Sequence, residues 1–240
     1  MKAQKSTLLI LNYHHVNKHD AQGSLYDVSL QQLLDHLKII KENSVAVSSL
    51  ANDETYLPST DFKLALTFDD GNQSDYDLVA PILKEYNYSA AFFALGNYLN
   101  KPGRLTSLQL RELSEAGHCV GSHGLSHEIL TKLSPEQQLH ELKDSKEKME
   151  EIIGKEVKGF AFPYGQSNAA TISAAKTCGY THLFSTGMRT NLLNAENEIF
   201  YRWNITSKTD PELFSNVISS KAEISPASEL KTRLQKNAIK

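Results

Sequence analysis

Short apolar runs alternate with amphipathic stretches along most of the chain. Leu8 to Asn12 is a nearly unbroken apolar run, the pattern of a buried strand. Leu30 to Lys41 sets Leu30, Leu33, Leu34, Leu37 and Ile40 on one helical face. Val45 to Val47 reads as a short strand, and the polar stretch Asn52 to Asp61 as a loop. Lys63 to Phe68 is a strand that runs into the turn Asp69-Asp70-Gly71. Asp77 to Tyr86 is helical, with Pro81 delaying its regular part, and Ser89 to Ala94 is a strand. Ser107 to Ala116 is a helix stopped by Gly117, followed by a strand from His118 to Ser122.

The second half repeats the rhythm. Ser134-Pro135-Glu136-Gln137 opens a helix with a capping serine, a proline at the first position and Gln at the third; it runs to about Ile153 and ends at Gly154. A strand from Val157 to Phe162 precedes Pro163-Tyr164-Gly165, then come a helix from Ala169 to Cys178, a strand from Thr181 to Ser185 and a last strand from Ile199 to Ile205. Pro211 to Ser219 reads as a final helix. The prediction is one catalytic domain over residues 1–220 and a polar tail over 221–240. Strand–helix alternation implies an α/β fold with mostly parallel strands. Polar clusters with chemical potential follow four strands and lie beside a fifth. A (β/α) barrel gathers such strand ends around one mouth, whereas an open sheet spreads them, so a barrel is expected.

Composition narrows the function. The 240 residues can bury a core without staples. Lys plus Arg number 25 against 28 for Asp plus Glu, which argues against binding nucleic acid by bulk phosphate neutralisation. Two cysteines, Cys119 and Cys178, support neither a disulfide framework nor a thiolate zinc site. Thr7 to Leu11 is too short for a signal-peptide core, and nothing approaches the roughly 20 apolar residues of a membrane span. The expectation is a cytoplasmic protein without a membrane span. No Gly-rich phosphate loop or Ser-His-Asp elbow is present.

Four clusters carry the chemistry. Asp-Gly is common in turns, so Asp69-Asp70-Gly71 alone reads as one; its delivery by a buried strand, with no hairpin partner close behind, turns it into a site candidate. One carboxylate can hold a cation while the other faces a water. His123 and His127, four apart, would share one face of a helical turn and complete a His-His-Asp cation site. Such a donor set suits zinc, cobalt, nickel or manganese, and three protein ligands leave room for water and substrate. One of His14 and His15, at a strand end, can face the mouth as a proton donor; packing at the rim explains them equally well. Pro163-Tyr164-Gly165 is a strand-to-helix turn whose backbone N–H groups could hold an oxyanion. His19, His36, His118, His140 and His182 read as structural or solvated.

Together these residues resemble the polysaccharide deacetylase superfamily, carbohydrate esterase family 4. Thr67-Phe68-Asp69-Asp70-Gly71 matches its first motif letter for letter, and His123-Gly124-Leu125-Ser126-His127 matches the second in both histidines. Phe162-Pro163-Tyr164-Gly165 matches the proline–aromatic core of the third. The resemblance implies a distorted (β/α) barrel of about seven strands and metal-dependent removal of acetyl groups from N-acetylated sugars. By position, Asp70, His123 and His127 would hold a divalent cation, zinc first, and Asp69 would be the general base. The Tyr164 N–H, beside Pro163, would help hold the oxyanion.

Three departures stand out. Ala161 occupies the place of an arginine common two residues before the third-motif proline, Arg202-Trp203-Asn204 is the nearest approach to a fourth motif, and no histidine follows His182. These gaps resemble the permuted branch that includes poly-N-acetylglucosamine deacetylases, in which an early Tyr-His supplies the late histidine. Tyr13-His14 fits, making His14 the general acid, and Arg202 is the candidate to replace the missing arginine. The implied substrate is an N-acetylated sugar, nucleotide- or lipid-linked in a cytoplasmic setting, or a glycan precursor. A small non-sugar amide, as in allantoinase-like members, and a non-catalytic glycan-binding role on the same fold are the alternatives.

Overall fold

The structure, a computed structural model, describes residues 7–19, 23–50, 62–193 and 198–220. The predicted loop at 52–61 and tail at 221–240 lie outside the described residues. Seven strands form a closed parallel barrel: β1 (Thr7–Tyr13), β2 (Phe62–Asp70), β3 (Ala91–Ala94), β4 (Cys119–Ser122), β5 (Gly159–Ala161), β6 (His182–Thr186) and β7 (Phe200–Asn204). Each pairs with its successor in sequence, and β7 returns to β1 through Ile10↔Arg202 and Leu11↔Trp203. Helices α1 (Leu30–Glu42), α2 (Ala80–Tyr86), α3 (Ser107–Glu115), α4 (Pro135–Ile153) and α5 (Ala169–Thr177) connect the strands up to β6, and α6 (Pro211–Ser220) follows β7. Among the described residues β6 and β7 are joined without a helix, which distorts the barrel. No helix among them is long and apolar enough to cross a membrane.

Strand periodicity sorts the side chains into two layers. Leu9, Leu11, Leu64, Leu66, Phe68, Phe92 and Phe160 face outward and are buried against the helices. Leu8, Ile10, Ala65, Ala91, Phe93, Phe184 and Phe200 face inward and form a separate apolar cluster within the barrel. Gly121 and Gly159 make room for the Phe93 ring: a Cβ at Gly121 would enter the contact shell of its Cδ1 and Cε1, and one at Gly159 would lie 3.2 Å from Cε1.

The start of α4 follows the predicted capping chemistry, and α3 and α5 share it. Ser134 accepts from the Gln137 N–H while Gln137 reaches back, and Thr106 with Gln109 and Asn168 with Thr171 repeat the reciprocal pair on α3 and α5. Each cap satisfies N–H groups that the helix leaves orphaned. The regular part of α2 starts late, as Pro81 predicts: a wide π-helical turn over Asp75–Val79 precedes it, and Pro81 sits in its first turn, where no N–H is needed.

Candidate active site

The parity that builds the apolar floor also selects the side chains above it. Two residues beyond Ile10 comes Asn12, beyond Ala65 come Thr67 and Asp69, beyond Phe200 comes Arg202, and beyond Gly121 comes His123. They meet at the C-terminal ends of the strands, where β/α barrels assemble their sites. Asn12, Asp69, Asp70, His14, His123 and His127 line one cavity of about 450 Å³, with Arg104, Tyr164 and Asn204 on its walls.

Asp69 is 2% exposed and Arg202 is fully buried. Arg202 clamps it with both Nη atoms, at 2.7 and 2.8 Å, and Asn12 Nδ2 donates to Asp69 Oδ2 at 3.0 Å. Burial pushes the Asp69 carboxyl up, but the charge of Arg202, helped by His123 and the bidentate hydrogen bonds, wins and holds it well below the usual carboxylate range. Asp69 is therefore ionised and immobile. The guanidinium continues to Asn12 Oδ1 at 3.0 Å and stands over Phe93 at 5.2 Å, so the apolar floor supports the ionic layer.

Strict strand alternation would turn Asp70 away from Asp69. Instead Asp70 takes φ 77° and Gly71 φ 63°, and both carboxylates face the cavity. This left-handed conformation is strained for an aspartate. Neighbours hold it: Asn72 Nδ2 donates to the Asp69 carbonyl at 3.2 Å, Arg104 Nη1 to the Asp70 carbonyl at 3.1 Å and the Leu105 N–H to the Gly71 carbonyl at 3.0 Å.

The histidine pair is brought together by different means from the predicted helical turn. Residues 123–127 form a loop after β4, with Gly124 at φ 87° and His127 at φ 64°. A helix would need α-region values at both. Glu141 of α4 holds this loop, its Oε2 accepting from the Leu125 and Ser126 N–H groups at 2.8 and 3.0 Å and its Oε1 from the Ser126 hydroxyl. His123 Nδ1 bonds to the Ala161 carbonyl at 2.7 Å, which requires the N–H there and leaves Nε2 as a lone-pair donor toward the cavity. Ala161, the position that lacks the usual arginine, thus contributes its backbone.

Asp70 Oδ1 is buried and accepts no hydrogen bond. It lies 3.7 Å from His123 Nε2 and 3.6 Å from His127 Nε2, and the three donor atoms fall within 4.8 Å of one another. Ligands about 2.0–2.2 Å from a tetrahedral zinc stand roughly 3.3–3.6 Å apart. A partnerless carboxylate oxygen between two imidazole nitrogens, one with its tautomer fixed from behind, is a donor set that fits a divalent cation.

The remaining candidates separate cleanly. His14 lines the cavity, packs on the Tyr26 ring at 4.8 Å and has a buried Nδ1 without a partner; burial holds its pKa below the ordinary histidine value despite nearby Asp69 and Asp70. His15 faces Asp27 at 3.6 Å. Tyr164, at φ 57°, is 61% exposed, and its ring packs at a tilt against His127, with centroids 4.6 Å apart. Pro163 is buried and starts the turn, and Gly165 is required because a Cβ would come within 2.9 Å of the Thr186 nitrogen. Trp203 turns outward onto Phe214 and takes no part.

Sequence reasoning passed over Asn12, Asn72, Arg104, Glu141 and Asp75. Asp75 is buried below the turn, accepts the Asn72 N–H at 3.0 Å, and is pushed well above the usual carboxylate pKa by burial and by Asp70. A polar residue at an inward parity position was the available signal for Asn12; Glu141, on the polar-looking helix α4, gave none.

The polysaccharide deacetylase family profile matches residues 57–183. The peptidoglycan-N-acetylmuramic acid deacetylase PdaC of Bacillus subtilis (strain 168) is 34% identical over 150 residues, covering 60% of this chain and 31% of that protein. The poly-β-1,6-N-acetyl-D-glucosamine N-deacetylase of Staphylococcus epidermidis is 26% identical over 227 residues, covering 82% and 78%. The chain spans less than two thirds of the length of several curated relatives it matches. Among solved structures, the deacetylase PplD of Streptococcus pyogenes, in complex with acetate, superposes with a TM-score of 0.79 at 24% identity, over 89% of this chain and 99% of that one, a likeness of fold.

Proposed function

This chain belongs to the polysaccharide deacetylase family, and from that premise we propose that it is a divalent-metal-dependent hydrolase removing the N-acetyl group from an amino sugar of a glycan or glycan precursor. The observation that carries the metal dependence is the buried, partnerless Asp70 Oδ1 facing both histidine Nε2 atoms. The named activities of the B. subtilis and S. epidermidis relatives, both on N-acetylated sugars, support the substrate class.

A cation held by Asp70, His123 and His127, zinc first among zinc, cobalt, nickel and manganese, would supply Lewis acidity toward the acetyl carbonyl and the attacking water. Asp69 is the general base: it takes a proton from that water while Arg202 and Asn12 keep it ionised and aimed. The Tyr164 N–H steadies the oxyanion that forms as the water oxygen bonds to the carbonyl carbon. His14 gives a proton to the leaving nitrogen as the C–N bond breaks, yielding acetate and the free amine. Burial favours its neutral form, so the proton it gives is taken up during the cycle, with the nearby Asp69 and Asp70 carboxylates favouring the imidazolium. Arg202 takes the place of the missing third-motif arginine by holding Asp69 from another strand.

The test is acetate release from N-acetylglucosamine oligomers by metal-stripped protein, before and after adding each metal. Activity should appear only with metal. Asp69→Asn should lower kcat by about 10²–10⁴-fold with metal binding intact, and His127→Ala should lose the metal. Undiminished turnover in Asp69→Asn would sink the base assignment.

A further inference from the structure

The reaction just described leaves one cation of the cavity unused. Arg104 sits between β3 and α3 on a loop fixed by backbone bonds: Arg104 N–H to Lys101 carbonyl at 3.1 Å, Gln73 N–H to Gly103 carbonyl at 3.0 Å and Leu105 N–H to Gly71 carbonyl at 3.0 Å. Its Nη1 donates to two neutral acceptors, the Asp70 carbonyl at 3.1 Å and Asn72 Oδ1 at 2.9 Å. Its guanidinium lies over the Tyr98 ring at 5.3 Å, and the Lys101 ammonium sits on the same ring at 4.7 Å.

Neither cation forms an ion pair with a carboxylate among the described residues. The contrast with Arg202 is direct, since Asp69 neutralises that guanidinium with two hydrogen bonds. Asp70, the carboxylate next to Arg104, presents only its backbone carbonyl to it and turns its side chain toward the histidines. Arg104 therefore brings a half-buried, oriented positive charge to the cavity wall, with Nε and Nη2 making no hydrogen bond to described protein groups. A guanidinium so placed matches a planar carboxylate or a phosphate.

We propose that Arg104, reinforced by Lys101, reads an anionic substituent of the substrate, so that the preferred substrate is an N-acetyl amino sugar bearing a carboxylate or phosphate near its acetamido group. This rests on the deacetylase reading and sharpens it, because a neutral glycan would leave the charge unanswered. Arg104 is a specificity residue in this proposal and has no part in proton transfer.

The experiment compares kcat/KM of the full metal-loaded chain on matched sugars: N-acetylglucosamine, N-acetylmuramic acid with its lactyl carboxylate, and N-acetylglucosamine 1-phosphate, free or as termini of equal oligomers. Wild type should favour an anionic sugar over the neutral one by about tenfold, through KM, with the preference shrinking as salt rises. Arg104→Gln should bring the preference to within about twofold. That change also loosens the Asp70 turn, so the ratio between sugars is the readout and not the rate. Lys101→Gln, which leaves the Asp70 contacts alone, should lower the same ratio by a smaller factor. A preference confined to the muramic acid or to the phosphate names the anion. Equal efficiency on neutral and anionic sugars in wild type, or a ratio unmoved by both substitutions, would overturn the proposal and leave the deacetylase standing. Absence of acetate from all three sugars would overturn both.

Discussion

The two storeys of the barrel interior are built by the same strands and differ in almost every physical respect. The lower storey is apolar and regular: Ile10, Ala65, Phe93, Phe184 and Phe200 fill it, and two glycines give way to one phenylalanine ring. The upper storey, two or four residues further along each strand, holds Asn12, Thr67, Asp69, His123 and Arg202, all buried. Below, an error in volume is the main hazard. Above, the hazard is an unpaired charge, because the desolvation of Asp69 is offset chiefly by the Arg202 clamp, with His123 helping. Strain follows the same division: Asp70, His127 and Tyr164, all at positive φ, lie at the mouth. The lower storey makes a closed barrel, and the upper one spends part of that stability on oriented ions.

The sharpest way to break this contrast is to remove the clamp. Arg202→Met preserves the apolar stem and leaves Asp69 buried without its cation. Loss of one partner of a buried pair typically costs about 3–5 kcal/mol, and chemical denaturation at neutral pH should show a loss of that order. Asp69→Asn/Arg202→Met removes both charges and should be more stable than Arg202→Met alone. A double variant at least as unstable as that single one would mean that the guanidinium acts through packing on Phe93 and Phe184 and not through charge.

Acidity sharpens the same comparison with a smaller effect. In wild type the Asp69 pKa lies below its unfolded value of about 3.9, so its contribution is fully present above that pH and fades as pH falls further toward the native value. Without Arg202, burial is the leading influence and raises the carboxyl above its unfolded value. The penalty of Arg202→Met is then greatest at neutral pH and shrinks as pH falls toward 4 and the carboxyl takes up a proton. Stability curves of the two proteins between pH 7 and 4 should converge. Parallel curves would mean that Asp69 is not the group left stranded.

How much of this was legible follows from the range over which each feature is encoded. Strands, helices and caps are local: short apolar runs, a helical apolar face such as that from Leu30 to Ile40, and Ser134 with Gln137 locate them. The first two site motifs are also local, being short stretches after strands. The clamp is not: Asp69 and Arg202 are 133 residues apart, and only closure of β7 onto β1 brings them together. The missing arginine beside Pro163 hinted that something must fill its place, and Arg202 was the candidate on offer. The His123–His127 geometry was misjudged because spacing of four fits both a helical turn and a loop, and Glu141, which decides for the loop, comes from a helix that reads as solvated. The Asp70 backbone was illegible because alternation predicts the opposite side, and the conformation that overrides it is held by Arg104 and Asn72 from outside the strand.

The smallest prediction concerns the lower storey and tests whether it obeys volume alone. Gly121→Ala places a methyl inside the contact shell of Phe93, which is wedged against Phe184 at 5.0 Å and under Arg202 at 5.2 Å. Overpacking of this kind costs about 1–3 kcal/mol. No titrating group is stranded, so the loss should be the same at pH 7 and pH 5, unlike that of Arg202→Met. Phe93→Leu alone opens a void and costs stability too, but it also vacates the space the new methyl needs. The double variant should therefore be destabilised by less than the two single losses together. Strict additivity would show that strand β4 moves away from Phe93 instead of pressing on it, and His123, two residues further along that strand, would move with it. Metal affinity of Gly121→Ala decides between the two cases, because a shifted β4 would weaken the proposed cation site and a displaced phenylalanine ring would leave it intact.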